Sequence, residues 1–429
     1  MTFYTDKQTL EDLNLLGKFK SNSVFNIFNK VKTAGGERLL EGFFRQPLTD
    51  PAAINARCAT FKRYQQMVIQ LPFTRAAFDR AEAYLDTTVP ANYLLVAASV
   101  WRKKALSGIT RDQRYEELYN GLLATVTLLA QLSAFCAQVK EDDEDIKLIS
   151  RLLSDNRLRD LKQVSTLTVT DVIRFDHLLR GKMRREMSVL LATVHKVDVY
   201  IAVSDVARER AFGYAEARPV QEHIADIKGL RHPALRDAVA NDMHLDAGNN
   251  LLFLTGANMA GKSTFMKAYG IAIYLAHMGF PVAAERMVFS VREGLYTSIN
   301  VPDNLQMGYS HFYAEVQRVK TVASAVSGGA KLIVIFDELF KGTNVKDAYD
   351  ATLAVAAAFS AYRSCLYIIS THIIEVGEAL PKVNTRFAYL PTVMEGAVPR
   401  YTYRLAEGIT ADRHGMMIIE QEGLLALLG

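Results

Sequence analysis

The stretch that most limits how this chain can fold is a glycine-rich loop at residues 256–264, Gly-Ala-Asn-Met-Ala-Gly-Lys-Ser-Thr. An apolar run at 251–254 precedes the loop, and a stretch compatible with a helix follows it. Glycines let successive backbone N–H groups turn inward around phosphate oxygens, and the helix that follows adds its positive end. Lys262 is placed to reach the β- and γ-phosphates, and Ser263 to ligate Mg²⁺. The pattern favours a nucleotide-binding loop over a plain glycine-rich turn, with candidate residues Gly256, Asn258, Ala260, Gly261, Lys262, Ser263 and Thr264.

A second apolar run at 332–336 is too short for a helix and rich in β-branched residues, so it predicts a buried strand. The run ends in Asp337 and Glu338. An acidic residue that closes a buried strand beside a phosphate-binding loop is placed to hold Mg²⁺, which is the role expected for Asp337. A second carboxylate can orient or deprotonate the attacking water, and this role falls to Glu338. The alternative is a strand that merely ends in acidic residues.

A third apolar run at 366–369 is followed by Ser370, Thr371 and His372. A lone histidine after a strand is usually structural. Because His372 follows a strand end as Asp337 does, we expect it to hydrogen-bond the γ-phosphate or the attacking water. The other histidines on apolar or helical stretches are predicted to be packing residues, namely His177, His195 and His277.

The amino-terminal half has the spacing of helices, and three consecutive domains are predicted. They are a helical core at 1–85, a long-helix lever region at 86–217 and a P-loop ATPase domain at 218–429. In the lever region, apolar residues recur every three or four positions from Val172 to Ile201 without a proline. A continuous helix is expected from Thr170, a possible N-cap, to Arg210, with a length of roughly 60 Å.

A basic cluster lies on the other face of this predicted helix, and its members are Arg180, Lys182, Arg184 and Arg185. Such a cluster could touch a phosphate backbone. Charged faces of exposed helices are more often simply solvated, and no interleaved aromatic residues mark a base-stacking surface. Contact between nucleic acid and this cluster therefore stays an open alternative.

Composition limits the class of protein. The 429 residues carry a formal net charge of +4, which does not by itself indicate a nucleic-acid partner. Cys58, Cys136 and Cys365 show neither disulfide nor metal spacing, which favours buried thiols and a cytoplasmic location. No secretory signal is visible at the start. The uncharged stretch 118–139 contains polar residues at intervals, so a helix buried among helices is expected there rather than a membrane span.

Four segments together resemble the MutS family of DNA mismatch-repair ATPases. Residues 255–264 are similar to the family's Walker A segment, including its Asn-Met pair, and 308–312 to its signature segment. Residues 337–343 resemble its Walker B segment, and 370–372 the segment with its switch histidine. The helical half matches more loosely at its amino-terminal end. The resemblance implies an α/β P-loop domain of the ABC class, preceded by an all-helical core and lever domain.

The resemblance also implies function. Two ATPase domains are expected to pair in a homodimer, so that Ser310 of one protomer reaches the γ-phosphate of ATP held by the other, with Mg²⁺ as cofactor. ATP-driven motion would pass through the levers to DNA. The chain begins where the family's core begins, so the mismatch-reading and connector domains are expected to be absent. Ala238 stands where the family often has an aromatic residue against the adenine, so base stacking is expected to be weak or supplied elsewhere.

Three functions follow from this reading. The first is a MutS-like ATPase that acts on DNA in repair or recombination. The second is an ATP-dependent switch of the same architecture whose levers grip a protein or ribosomal partner. The third, a small-molecule phosphotransferase, is disfavoured because Ser310 and the pair Asp337 and Glu338 point to water as the acceptor.

Overall fold

The computed structural model describes residues 2–17, 22–110, 112–139, 142–163, 166–257, 259–299, 311–395, 398–410 and 427. The chain forms two compact units. The sheet unit comprises Met1–Phe28, Phe43–Lys62 and Val206–Gly429, and the helical unit comprises Asn29–Gly42 and Arg63–Asp205. Helices dominate the chain up to residue 209, and strands alternate with helices after it, which confirms the predicted order of a helical region followed by an α/β region.

The first part of the chain contains helices α1 to α10. Their bounds are α1 Lys7–Asp12, α2 Val24–Phe28, α3 Ala34–Arg45, α4 Pro51–Met67, α5 Arg75–Leu85, α6 Tyr93–Thr110, α7 Arg114–Gln138, α8 Glu144–Leu153, α9 Val169–Asp176 and α10 Arg184–Glu209. A π-helical turn, His177–Lys182, joins α9 to α10. Short 3-10 turns cover Asn156–Leu158, Asp160–Gln163 and Val220–Glu222.

The second part of the chain contains the strands and the remaining helices. The strands are β1 Gly213–Arg218, β2 Ala225–Leu230, β3 Asn241–Leu245, β4 Leu251–Gly256, β5 Pro281–Val282, β6 Arg286–Ser290, β7 Gly294–Ser298, β8 Leu332–Asp337, β9 Leu366–Ser370, β10 Thr385–Leu390, β11 Thr392–Glu395, β12 Val398–Tyr401 and β13 Ala406–Glu407. The helices are α11 Lys262–His277, α12 His311–Ser327, α13 Val345–Ser360 and α14 Ile374–Ala379.

The central sheet of the sheet unit has, among the described residues, the strand order β13-β10-β4-β9-β8-β7. Strands β10, β4, β9, β8 and β7 run parallel, and β13 is antiparallel to β10. Strands β4 and β9 are buried along their whole length, as their apolar runs predict for a sheet covered on both faces. Parallel strands end at the same edge of a sheet. The residues that follow β4, β8 and β9 therefore lie next to one another at that edge.

A second sheet in the same unit has the order β3-β2-β6-β1-β5. The apolar core beside it is aromatic. The rings of Phe28, Phe44 and Phe61 lie with their centroids 5.5, 5.7 and 5.0 Å from that of Phe280. These contacts are edge-to-face, the arrangement that the ring quadrupole favours.

The two units do not coincide with the predicted segments 1–85, 86–217 and 218–429. The aromatic contacts with Phe280 place parts of the first 62 residues in the sheet unit. Asp12 makes a further contact of this kind within the sheet unit. Its carboxylate accepts hydrogen bonds from the Thr297 hydroxyl at 2.7 Å and from the Ile299 N–H at 2.9 Å. Contacts between residues more than 200 positions apart leave no periodic signal in the sequence.

Buried polar residues organise the helical unit around the start of α3. The Asp198 carboxylate accepts hydrogen bonds from the backbone N–H groups of Lys32 and Thr33 and from the Thr33 hydroxyl, at 2.7–3.0 Å. The Thr33 oxygen also accepts from the Gly36 N–H at 3.0 Å. Burial raises the pKa of Asp198, and this effect is larger than the lowering that the hydrogen-bond donors cause. The network satisfies the first N–H groups of a helix that would otherwise be left without partners.

The long helix predicted from Thr170 to Arg210 is corrected in two respects. It begins after Thr168, whose side chain and that of Asp171 form a capping box, so Thr170 is inside the helix. It is also interrupted, because the π-helical turn separates α9 from α10. Gly181 lies in this turn, and glycine is a poor helix former.

The predicted basic cluster is corrected at Arg180, which is buried and forms an ion pair with Asp176. Lys182, Arg184 and Arg185 are exposed. The π-helical turn changes the direction of the side chains relative to a regular helix, and a sequence periodicity of 3.6 does not anticipate this. The four residues therefore do not form one solvated face.

Helices α7 and α10 are long and apolar enough to cross a membrane by length and composition among the described residues. In their most apolar windows, 44% and 72% of the residues are buried inside the protein. Core helices of soluble proteins pass the same test, so these two helices are weak evidence for a membrane span. The cysteines were expected to be buried; Cys58 and Cys365 are, and Cys136 is partly exposed.

The histidines predicted to be packing residues also have polar partners. Nε2 of His177 lies 2.8 Å from the Ala91 carbonyl, and the ring of His195 lies between Thr33 and Glu82. His277 is fully buried between two backbone groups. All three are structural positions, held by hydrogen bonds as well as by packing.

Candidate functional site

The glycine-rich loop lies between β4 and α11. Gly256 has a φ of +140° and Gly261 a φ of +101°, and Gly261 is the N-cap of α11. A side chain at Gly261 would also place its Cβ 3.0 Å from the ring of Tyr403. Both positions therefore need glycine, for conformational and for steric reasons. Ala260 is buried and Thr264 is exposed, whereas Asn258 lies outside the described residues.

Lys262 is the first residue of α11, and its side chain folds back over the loop. Its Nζ donates hydrogen bonds to the carbonyl groups of Gly256, at 2.8 Å, and Ala257, at 3.1 Å. The side chain is buried, and burial lowers the pKa of Lys262, while Glu338 and Asp337 act in the opposite direction. An ammonium group held in this way presents positive charge at the centre of the loop.

Three strand ends converge next to this loop. Leu254 in β4 pairs with Ser370 in β9, which in turn pairs with Asp337 in β8. The Ser263 hydroxyl donates a hydrogen bond of 2.5 Å to Oδ2 of Asp337, and the Ser370 hydroxyl donates to Oδ1. The structure thus brings together the predicted residues Ser263 and Asp337. It adds Ser370, whose only signal in the sequence is its place before His372.

Glu338 leaves the strand in an unusual conformation. Its φ is +53°, a region that residues other than glycine rarely adopt, and its N–H donates to the Ser370 carbonyl at 3.0 Å. The side chain is one quarter exposed, and Oε2 lies 4.0 Å from Nζ of Lys341. A strained backbone held by neighbouring structure is a common feature of functional positions. Here the positive φ takes the backbone out of the extended conformation directly after the last residue of β8.

His372 lies at the same edge of the sheet but, among the described residues, forms no hydrogen bond or ion pair with Asp337 or Glu338. It is two residues past the end of β9, and its side chain is exposed. Within the described part of the chain it has no hydrogen-bond partner, whereas the preceding Thr371 donates its N–H to the Leu254 carbonyl at 3.3 Å. Ser310, which the resemblance assigns to a partner's site, lies outside the described residues.

A cavity of about 370 Å³ opens beside the loop. Its walls include Gly261, Thr264, Ala238 and Tyr403. The Tyr403 carbonyl accepts a hydrogen bond from the side chain of Asn241 at 2.9 Å, and Asn241 also accepts from the Leu405 N–H at 2.7 Å. Asn241 therefore holds the tyrosine segment against the cavity. No pattern in the sequence connects Tyr403 to the loop, 142 positions away.

Comparison with known families gives matches over most of the chain. The family model of MutS domain III matches residues 8–247, which is more than half of the chain. The family model of MutS domain V matches residues 252–426. This chain belongs to the MutS family.

Relatives from several bacteria carry the name DNA mismatch repair protein MutS. The chain is 31% identical to the protein of Anaplasma phagocytophilum over 208 residues, which are 47% of this chain and 24% of that protein. It is 27% identical to the Leuconostoc mesenteroides protein over 293 residues, 65% of this chain and 33% of that protein. It is 30% identical to the Thermus caldophilus protein over 248 residues, which are 57% of this chain and 29% of that protein. The chain thus matches a third or less of the length of each of these MutS proteins.

The MutS-family domain V match covers the loop and all three strand ends of the site, since it begins at residue 252. The domain III match covers the helical unit and its long helices. Family membership therefore accounts for the order of the domains, and the site's chemistry has to be argued from its own residues.

Proposed function

We propose that this MutS-family chain binds and hydrolyses ATP at the glycine-rich loop, as an ABC-class P-loop ATPase. The observation that carries the proposal is the hydrogen bond of 2.5 Å between Ser263 and Asp337, beside the buried ammonium group of Lys262. The Lys262 ammonium group and the side-chain oxygens of Ser263 and Asp337 thus lie where β4, β8 and β9 end. This is the arrangement that phosphoryl transfer requires, since its catalysis depends mainly on positioning and charge.

The residues present fit a magnesium ion. A hydroxyl and a carboxylate are the hard oxygen ligands that Mg²⁺ prefers, and both oxygens belong to Ser263 and Asp337. Among the described residues no group of three or more His, Cys, Asp and Glu side chains could hold a metal by itself. This agrees with Mg²⁺, which usually takes one or two protein ligands and completes its shell with phosphate and water. When bound, Mg²⁺ offsets negative charge on the phosphates.

The chain's own groups divide the remaining work. The N–H groups of the loop and the amino-terminal end of α11 face the phosphates, and Lys262 exchanges its carbonyl partners for phosphate oxygens. Glu338 orients and deprotonates the attacking water. His372 reaches the γ-phosphate or that water when the site closes. In this proposal Ser310 comes from a second copy of the chain and donates to the developing charge on the γ-phosphate.

The cavity beside Gly261 receives the adenine. Tyr403 is part of the cavity wall, and its ring stacks against the adenine. It thereby replaces the aromatic residue that the family often has at the position of Ala238. A base and an aromatic ring stack with an energy of about 1–3 kcal/mol, enough to orient a nucleotide. The cavity, at about 370 Å³, has the size of a small-molecule site.

A physiological role in DNA repair or recombination rests on the relatives, which are named DNA mismatch repair protein MutS. We propose that ATP-driven motion is transmitted through the long helices α7 and α10 to DNA, in a cytoplasmic homodimer. The competing proposal is a switch that grips a protein or ribosomal partner. Binding of mismatched, branched and plain duplex, measured across a salt series with ATP present, separates them. Absence of binding at low salt would favour the competing proposal.

The ATPase proposal is tested by Glu338→Gln. Removing the base should lower the rate of phosphate release at least about a hundredfold while leaving the Kd for ATP nearly unchanged. Light scattering should then show dimers accumulating with ATP. The matched control is Glu378→Gln, the same change at an exposed position of α14. Normal turnover of Glu338→Gln would refute the assigned role, and absence of ATP binding in the unsubstituted chain would refute the proposal as a whole.

A further inference from the structure

A second large cavity lies within the helical unit and is independent of the nucleotide site. Its volume is about 590 Å³, and its walls come from α5, α6, α7 and the π-helical turn. Four cationic side chains line it, against the single carboxylate of Glu117: Arg80, Lys103, Arg114 and Arg180. Asp176 and Asp112 offset the charges of Arg180 and Arg114, so the remaining positive charge is that of Lys103 and Arg80. A cleft with unpaired positive charge attracts anions.

Arg180 is a buried and firmly held member of the cavity lining. Only 7% of its surface is exposed, and its Nε donates to Oδ1 of Asp176 at 2.6 Å. The guanidinium group also donates to the Thr87 hydroxyl and lies 4.5 Å from the centroid of the Tyr84 ring. The Tyr84 hydroxyl donates to the same Asp176 oxygen at 2.7 Å. A terminal nitrogen of the guanidinium is also paired with Oδ1 of Asp176. The guanidinium is thus fixed in place, and three of its five N–H groups have partners.

The π-helical turn gives this arginine its position. It inserts one extra residue per turn and carries Arg180 into the cavity rather than onto the outer face of the long helix. Such turns often occur at functional sites, because they cost helical stability and persist where a side chain must be redirected.

Two of the other cations have no carboxylate partner in the described part of the chain. Lys103 is half-buried and forms no ion pair among the described residues, although the more distant Asp176 carboxylate attracts it. Burial, followed by repulsion from Arg180, lowers the pKa of Lys103. Arg80 is exposed and is also without an ion pair. Arg114, by contrast, is held by Asp112, because its Nε donates to the two carboxylate oxygens at 2.9 and 2.8 Å and a terminal guanidinium nitrogen also donates to Oδ2.

We propose that this cavity binds a phosphate group, carried either by a free polyphosphate-bearing molecule or by the backbone of a nucleic acid. A multiply charged anion would pair with Lys103 and Arg80. It would also accept hydrogen bonds from the two N–H groups of Arg180 that have no other partner. Arginine matches phosphate oxygens with two parallel hydrogen bonds, which favours phosphate over a halide. The volume exceeds that of a single phosphate ion and suits a larger phosphorylated ligand. The proposal does not depend on the ATPase proposal, since its residues all belong to the helical unit.

The first test measures the rate at which each lysine is acetylated, by mass spectrometry of the full-length chain, with tripolyphosphate as the probe. Lys104 is the internal control, since it follows Lys103 in α6 but lies over the Tyr115 ring and does not line the cavity. A bound anion that raises the pKa of Lys103 by about one unit slows its acetylation about tenfold. Lys104 should be unaffected. Equal slowing of both lysines by tripolyphosphate, or slowing of neither by tripolyphosphate or by a DNA duplex, would overturn the proposal.

The second test measures tripolyphosphate binding calorimetrically with saturating Mg-ADP present, so that the nucleotide site does not contribute. Arg80→Gln should weaken binding about tenfold, the usual effect of losing one charged hydrogen bond. Arg80 is exposed, so this change leaves the packing intact. Lys104→Gln, the matched control, should leave the Kd unchanged. Equal affinities of the unsubstituted chain and Arg80→Gln would contradict the proposal.

The same acetylation measurement distinguishes the source of the phosphate. Tripolyphosphate and a DNA duplex are compared at equal phosphate concentration. Protection of Lys103 by tripolyphosphate supports a free anion as the ligand. Protection by the duplex alone supports a nucleic-acid backbone at the same site.

Discussion

The hydroxyl of Ser263 lies 2.5 Å from Oδ2 of Asp337, although the two residues are 74 positions apart. Ser263 is in the first turn of α11, and Asp337 is the last residue of β8. The Ser370 hydroxyl donates a hydrogen bond to Oδ1, the other oxygen of the Asp337 carboxylate. Asp337 therefore ties three elements together at the edge where we propose that ATP is hydrolysed.

Asp337→Asn tests the metal site. The amide keeps the size of the side chain but loses its charge, so Mg²⁺ should bind poorly and the rate of phosphate release should fall at least about a hundredfold. The Kd for ATP in the absence of metal should change little, because Lys262 and the loop remain. Asp350→Asn, at an exposed position of α13, is the control. Retention of Mg²⁺-dependent hydrolysis in Asp337→Asn would exclude Asp337 as a ligand.

Tyr403→Ala tests the base pocket. Loss of the aromatic wall should raise the Kd for ATP about tenfold, with a small effect on the rate at saturating ATP. Tyr403→Phe should bind normally, since it keeps the ring. Tyr401→Ala is the matched control, because Tyr401 is a neighbouring tyrosine that does not line the cavity. A Kd that is the same in Tyr403→Ala and Tyr401→Ala would place the adenine elsewhere.

His277 predicts a pH dependence of stability. Burial lowers its pKa from 6.5 to about 3. Its Nδ1 donates to the Leu48 carbonyl at 2.7 Å, and its Nε2 accepts from the Arg292 N–H at 3.3 Å, so the folded state needs the neutral ring. Between pH 6.5 and 3 the unfolded chain binds a proton that the folded chain does not bind. The free energy of unfolding therefore falls as the pH falls, by about 2 kcal/mol at pH 5 from this group.

This pH dependence is measured by urea denaturation between pH 7.5 and 5. His277→Gln should be less stable at pH 7.5 but should lose less stability on acidification than the unsubstituted chain. His372→Gln, a change at an exposed histidine, should keep the full slope. Parallel slopes for all three proteins would show that His277 does not carry the effect.

Thr33→Val tests the polar network of the helical unit. The substitution conserves shape but removes an oxygen that donates to Asp198 and accepts from the Gly36 N–H. Buried groups left without partners cost about 1–3 kcal/mol each, so the free energy of unfolding should fall by about 2–4 kcal/mol. Thr127→Val is the control, because the exposed Thr127 hydroxyl bonds only to the Leu123 carbonyl of its own helix. Equal small losses for both variants would argue against a cooperative network.

Residues close together in sequence were the ones that could be predicted. Strand β4, the glycine loop and α11 follow one another, and Asp337 and Glu338 end an apolar strand that is visible as such. Tyr403 escaped prediction because no local pattern relates it to the loop whose cavity it lines. Arg180 was assigned to an exposed face because a regular helical period cannot show a π-helical turn.

Local chemistry alone accounts for the glycines, the lysine and the acidic strand end, since backbone conformation, helix polarity and strand burial all act over a few residues. Family membership could be recognised from these segments for the same reason. The pairing of Ser263 with Asp337, the wall formed by Tyr403 and the cationic cavity around Arg180 arise only in the folded chain. Each brings together residues from distant segments, and such contacts depend on how sheets and helices pack rather than on any spacing along the chain.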